Sequence, residues 1–291
     1  MSKKSVFVIF ALWVLLILTV LCYSLAGQTR VEVAQTKAII DSYRAYDLAR
    51  SGVYMIRDKL LSARTDENKE LQNRYSAEVN FFHPSRTGEL AFGYSDAAAN
   101  ININAVPAAE LETFLDFLGS RRIIKDHDKI YEYVFPSADL NDRRVPACKE
   151  QIYSELKISL EDTADMDKIF TVYGKSCKLN INCVSEYLLN IMLGYFADEY
   201  DVPEDICSEI LSGRYRKDEE GNQIVPPFNQ QSWQDILDLS GQYSKVIEQW
   251  LTIEDSSAVN ITGSARVGNI FCEIEAVFDT NEMRFLYWYE N

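Results

Sequence analysis

"KKSVFVIFALWVLLILTVLCYSLAGQTR", Lys3 to Arg30, decides the fold class. Its apolar core from Val6 to Tyr23 is 18 residues long, with Thr19 as its polar interruption. That length spans a bilayer core as a helix, more so with Ser24 to Gly27 added. Lys3 and Lys4 precede the run, so the positive-inside rule holds the short end in the cytoplasm and sends the rest outward. No second run approaches this length, which predicts a single pass. A cleaved secretory signal is the rival reading. Ser24-Leu25-Ala26 resembles a small-x-small cleavage site after Ala26, but the apolar core of such signals is shorter, about 7–15 residues. A lipoprotein fits less well, because no small residues stand directly before Cys22.

The next stretch, "VEVAQTKAIIDSYRAYDLARSGVYMIRDKLLSARTDEN" (Val31–Asn68), has no Pro and one Gly. Its apolar residues recur at Ala38, Ile39, Tyr43, Tyr46, Ala49, Val53, Ile56, Leu60 and Leu61. Steps of three, four and one are helical spacing. The membrane helix is therefore expected to run on without a break at Gly27 to about residue 63.

Beyond it the chain changes character twice. "YSAEVNFF" and "ELAFGYSD" alternate like strands around a turn at His83 to Gly88. "AVNITGSARVG", "NIFCEIEAVFD" and "MRFLYWYEN" do the same at the carboxyl end, with turns at Gly268–Asn269 and Thr280–Asn281. Between these strands the pattern is mainly helical. Helices are expected over Pro107–Leu118, Asp128–Val134, Ile152–Leu160, Asp165–Phe170, Val184–Tyr200, Pro203–Ser212, Trp233–Leu239 and Val246–Leu251. "RYRKDEEGNQIVPPFNQQ" (Arg214–Gln231) reads as a long polar loop.

One short pattern occurs twice. "ININAVPAAEL" begins at Ile101, and "LNINCVSEYLL" begins at Leu179. Asn102 aligns with Asn180, Asn104 with Asn182, Val106 with Val184 and Leu111 with Leu189. Each copy spells a short strand, an Asn suited to an N-cap and then a helix. Pro107 suits a first helical turn.

A formal net charge of −15 argues against nucleic-acid binding, since Arg121-Arg122 and Arg143-Arg144 are only pairs. Six cysteines form no C-x-x-C pair, and His83 and His127 lie far from most of them, so a zinc site is not expected. Cys148, Cys177, Cys183, Cys207 and Cys272 allow up to two disulfides in an oxidising compartment, with connectivity open. No phosphate loop, G-x-S-x-G, H-E-x-x-H or Cys–His arrangement appears, so an enzyme is not expected. Calcium is the one ion whose ligands the sequence offers. "SADLND" supplies oxygens from Asp139, Asn141 and Asp142, and "DEYDVPED" (Asp198–Asp205) is a second acidic loop. Neither is an EF-hand loop, and a solvated acidic turn is the simpler reading of both.

Taken in order, several pieces carry a resemblance: the lysine-flanked apolar helix, "AYDLARSGVYMIRDKL", "DAAANININAVPAAELETFLDFLG", "IFTVYGKSCKLNINCVSEYLL", "PPFNQQSWQDILDLSG" and the final "SSAVNITGSARVGNIFCEIEAVF…LYWYE". Over nearly its whole length the chain resembles the K-type minor pseudopilins of bacterial type II secretion systems. The resemblance implies an α+β fold in which the long N-terminal transmembrane helix packs on an antiparallel pilin-like sheet, with an all-α domain inserted. The corresponding boundaries are 1–27 for the anchor, 28–70 for the helix beyond it, 71–105 and 255–291 for the sheet, and 106–254 for the insertion. It also implies calcium sites in the inserted domain of some members, although no ligand can be matched residue by residue. Prepilin peptidases cut such chains after a Gly. Here Ser5 precedes Val6, so inefficient or absent processing is expected. Counting from Val6, the fifth residue is Phe10 where most pilins have Glu, an absence that fits the K-type.

The function implied is a structural subunit, not an enzyme, at the tip of a periplasmic pseudopilus. It would be held in the inner membrane and act in pseudopilus initiation with I-type and J-type minor pseudopilins. Ile39, Tyr43 and Tyr46 share a helix face and are the expected partner contacts. Two alternatives stay open: a membrane-tethered envelope binding module and a minor subunit of a type IV pilus.

Overall fold

The computed structural model describes residues 3–65, 79–84, 88–137, 142–158, 160–216, 220, 227–254 and 257–291. One helix, α1 (Lys3–Thr65), runs for 63 residues without interruption at Gly27, as its spacing predicts. At 1.5 Å per residue it is about 95 Å long. Its last third packs on a five-stranded antiparallel sheet of order β1-β2-β7-β8-β9. These strands are β1 (Val79–Pro84), β2 (Glu89–Asp96), β7 (Ala258–Val267), β8 (Ile270–Asp279) and β9 (Arg284–Glu290).

The sheet has the expected period of two. Val259, Ile261, Gly263 and Ala265 on β7, with Ile274, Ala276 and Phe278 on β8, face α1, while Asn260, Thr262 and Glu275 face away. From α1 come Ala49, Gly52, Val53, Ile56 and Leu60. Two glycines set the closeness of this contact. A Cβ on Gly52 would stand 3.0 Å from Phe92 Cβ, and one on Gly263 would stand 2.5 Å from the Ala49 carbonyl oxygen.

β2 and β7 pair directly, Asp96 opposite Val259, so everything between them is a loop of the sheet in topological terms. That loop contains the helices α2 (Ala108–Ser120), α3 (His127–Val134), α4 (Lys149–Leu156), α5 (Leu160–Ile169), α6 (Glu186–Tyr200), α7 (Glu204–Gly213), α8 (Gln230–Ser240) and α9 (Ser244–Trp250). It also contains four two-residue strands: β3 (Ile101–Asn102), β4 (Phe170–Thr171), β5 (Leu179–Asn180) and β6 (Leu251–Thr252).

The doubled motif acquires a meaning here. β3 pairs in parallel with β4, and β5 in parallel with β6. Each Asn motif thus opens a unit of four helices whose end returns to pair with its beginning. The hydrogen bonds repeat as well. Asn102 Oδ1 accepts from the Asn104 N–H and Asn180 Oδ1 from the Asn182 N–H, both at 3.0 Å. Ile103 N–H donates to the Thr171 carbonyl, and Ile181 N–H to that of Thr252. The two units share one core: Phe114 of the first lies 5.1 Å from Tyr195 and 5.6 Å from Trp250 of the second, between ring centroids.

Four expectations need correction. The helix expected over Asp165–Phe170 starts at Leu160 and ends at Ile169, because Phe170 pairs with Ile101 as the first residue of β4. The Asn residues are not helix caps. α2 begins after Pro107 and α6 after Ser185, whose hydroxyl caps it by accepting from the Leu188 N–H. The Asn side chains instead bind across the fold, Asn104 Nδ2 to the Pro146 and Val172 carbonyls and Asn182 Nδ2 to that of Phe228. The expected helix Ile152–Leu160 stops at Leu156, because Lys157 takes a left-handed conformation (φ 51°) that ends the helical hydrogen-bond run. Met283 belongs to the turn before β9, with φ 55°, while Asp279 Oδ1 holds the Asn281 and Glu282 N–H groups.

Among the described residues, two hydrogen bonds join the helical region to the sheet. Asn180 Nδ2 donates to Asp96 Oδ2 at 3.2 Å in a buried setting, at the point where β2 ends. Tyr287 of β9 donates its hydroxyl to Glu150 Oε1 at 3.1 Å and lies 5.8 Å from the Tyr173 ring.

Candidate functional site

Among the described residues, most of the exposed large apolar side chains lie on α1. It is long and apolar enough to cross a membrane. Between Phe10 and Tyr43, apolar residues including Leu12, Trp13, Leu16, Leu21, Val33, Ile39 and Ile40 are exposed. Burial against the sheet begins at Ala45. At 3.6 residues per turn, Ile40 and Tyr43 lie on the side of α1 away from Ala45, Ala49, Gly52 and Ile56, with Ile39 on the flank. Ile39 is 57% exposed and Tyr43 is 69% exposed, so neither is used in the fold of the chain itself. Tyr46 differs. It is half-buried at the margin of the sheet core and donates its hydroxyl to Glu290 Oε1 at 2.9 Å. Trp288 Nε1 donates to the same oxygen at 2.7 Å. Tyr46 thus marks where the free part of the helix gives way to the packed part.

Ser5 and Val6, the expected processing junction, stand in the first turns of α1. Of the expected calcium ligands, Asp139 and Asn141 lie outside the described residues and Asp142 is exposed. In the second acidic loop, Asp198 pairs with Arg121 and Asp205 accepts from the Ile206 N–H, so both carboxylates have protein partners. No disulfide is formed among the described residues. Burial raises the thiols of Cys148, Cys177, Cys207 and Cys272 above their ordinary range, which suppresses the thiolate that exchange chemistry needs.

A cleft of about 430 Å³ separates the outer face of the sheet from the helical region. Lys149 Nζ meets Asp167 Oδ1 there at 2.5 Å, and the Tyr153 hydroxyl donates to the same oxygen at 2.7 Å. Glu275 faces this crowd from β8. Desolvation in the cleft, then repulsion from Glu273, raises its carboxyl above the usual range, with Lys149 acting in the opposite sense. A carboxyl raised in the folded state loses stability as pH climbs from its unfolded value, about 4.3, through its folded one. Glu275→Gln is therefore expected to raise the melting midpoint at pH 7, with the gain vanishing near pH 4. A variant that melts with wild type at pH 7 would show that the cleft accommodates the charge without cost.

No family model and no curated protein matches the chain. Among solved structures it is similar to a chain of the crystal structure of the GspK-GspI-GspJ complex from the enterotoxigenic Escherichia coli Type 2 Secretion System. The TM-score is 0.54 and the identity 15%, over 91% of this chain and 99% of that one. The likeness therefore takes in the helix, the sheet and the inserted helical region together. At this identity it shows the fold, an α+β, pilin-like architecture in which a long N-terminal helix lies on an antiparallel sheet interrupted by helices.

Proposed function

We propose that this chain is a structural, non-enzymatic subunit of a type II secretion pseudopilus, anchored in the inner membrane by α1 and placed at the filament tip, where it takes part in initiation. The observation that carries the reading is the division of α1: one continuous helix is packed on the sheet at one end and, from Phe10 to Ile40, is exposed, with an unbroken apolar run at its start. Such a helix acquires its missing contacts first from lipid and then from neighbouring helices of the same kind, through anchors three and four residues apart. The inserted helical region supports the tip position by its bulk, since it would obstruct a subunit above. The similar solved structure is a complex of three chains, which supports I-type and J-type minor pseudopilins as the partners.

The test is co-purification of the full chain with candidate partner pseudopilins from detergent extracts. Ile39→Asp is expected to reduce recovery of partners at least tenfold, because it sets an unpaired charge against an apolar surface. The fold itself should be unchanged, since Ile39 is exposed. Equal recovery by the variant would remove the Ile39–Tyr43 face as the interface. A wild-type chain that recovers none of these partners would favour the membrane-tethered binding module instead.

A further inference from the structure

We propose that Asp116, His127 and Asp128 form a binding site for a divalent transition-metal ion of the zinc class. The inference is independent of the assembly reading. α2 carries Asp116, and the turn after Ser120 folds the chain back so that His127, the first residue of α3, lies against α2. Gly119 makes the room. A Cβ there would stand 2.3 Å from His127 Cε1, so the imidazole occupies space that any other residue would fill. This packing leaves the His127 side chain only 23% exposed and buries Nδ1, which has no hydrogen-bond partner. Nε2 is directed outward, 3.2 Å from Asp128 Oδ1 and 4.0 Å from Asp116 Oδ1. The three ligand atoms all lie within 4.8 Å of one another.

These separations match an ion held between them. Zinc bonds of about 2.0–2.2 Å to nitrogen and oxygen in a tetrahedron put neighbouring ligand atoms roughly 3.4 Å apart. Asp116 and Asp128 are exposed, so small rotations of their side chains close the remaining distance. Glu112 and Glu132 line the same hollow of about 220 Å³ and leave a fourth position to a carboxylate or water. The nearest lysine on α3, Lys129, is held by Asp126 at 2.6 Å. An ion pair between protonated His127 and the two aspartates is the competing account. Exposed pairs of that kind contribute about 0–1 kcal/mol and do not require a ring locked by packing. The donor set also decides the class of ion: an imidazole nitrogen suits zinc, nickel or copper, whereas calcium takes six to eight oxygens. The expectation against zinc considered paired cysteine and histidine ligands, and this site uses carboxylates brought together by the α2–α3 turn.

The chain has two histidines, which makes the test direct. The full-length protein in detergent, labelled with ¹⁵N-histidine, is titrated with zinc chloride, and His127→Gln assigns the ring signals. The His127 nitrogens are expected to shift and saturate at one equivalent of zinc. Asp116→Asn combined with Asp128→Asn should weaken zinc binding at least tenfold while leaving the metal-free melting midpoint in place. Silent His127 signals at tenfold excess zinc would overturn the proposal. So would unchanged affinity in the double variant, or displacement of zinc by millimolar calcium.

Discussion

Gly263→Val is expected to loosen α1 from the sheet and lower the melting midpoint by several degrees. At Gly263 the helix lies so close to β7 that a first added carbon would meet the Ala49 carbonyl oxygen at 2.5 Å and Val53 Cγ2 at 2.9 Å. Val53 could change rotamer, but the Ala49 oxygen belongs to the helix backbone and moves only if α1 moves. Overpacking a core costs about 1–3 kcal/mol and sometimes more. In domains of this size each kcal/mol lowers the midpoint by about 2–4 °C. Trp288 reports the event locally, since its ring lies 6.0 Å from Tyr54 on α1 and 5.1 Å from Phe285. Its emission should shift to the red, while Trp250, in the core of the helical region, reports an intact neighbour. Gly194→Ala is the control. Its new Cβ would stand 3.6 Å from Phe117 of α2, an ordinary contact, and Gly194 lies inside α6, so up to about 1 kcal/mol of helix propensity is gained. A Gly263→Val chain that melts with wild type would mean that helix and sheet are not in this register.

The same contact explains which features were legible in the sequence. α1 could be read to within a few residues because its signal is repeated over dozens of positions: an apolar run, then helical spacing with no proline. The strands were legible because one face is buried and the other more open, so Ile261 and Ala265 alternate with Thr262 and Arg266. Ala45 is fully buried yet stands outside the periodic set that runs from Ala38 to Leu61, since alanine carries little hydrophobic signal. The break at Lys157 was hidden for a similar reason. Nothing in "YSELKISL" is a glycine or proline, and the turn shows only in the structure, where the Ile158 N–H reaches back to the Tyr153 carbonyl. Asp116 and His127 are eleven positions apart, and only the angle between α2 and α3 makes them neighbours. The Asn motifs lay between these extremes: their recurrence was visible, but not the parallel pairing that closes each unit.

Asn180 is where that motif bears the greatest load, and replacing it should cost more than replacing its counterpart Asn102. Both side chains accept from the N–H two residues on, so Asn→Ala leaves a buried or half-buried donor without that acceptor at either site, a penalty of about 1–3 kcal/mol. They differ in what the amide nitrogen meets. Asn102 Nδ2 donates to the neutral Gly174 carbonyl at 2.8 Å. Asn180 Nδ2 donates to the Asp96 carboxylate, buried at 1% exposure where the sheet hands the chain to the helices. Hydrogen bonds to charged groups contribute about 1.5–3 kcal/mol, so Asn180→Ala is expected to destabilise by roughly 3–5 kcal/mol and Asn102→Ala by about 2. Asn180→Asp sharpens the test because it keeps the shape and reverses the chemistry. One oxygen still accepts from the Asn182 N–H, but the other now faces Asp96 Oδ2 across a 3.2 Å gap that held a hydrogen bond. Two carboxylates sharing a buried site cannot both ionise cheaply, so one is raised in the folded state. A raised carboxyl favours the folded state at low pH and penalises it at high pH, so the deficit of Asn180→Asp should shrink as pH falls from 8 to 5. The deficit of Asn180→Ala should not recover in that way. Melting curves of both variants across that range decide the matter. If Asn180→Asp shows the same deficit at pH 5 as at pH 8, or if Asn102→Ala costs as much as Asn180→Ala, the junction with Asp96 is not what fastens the helical region to the sheet.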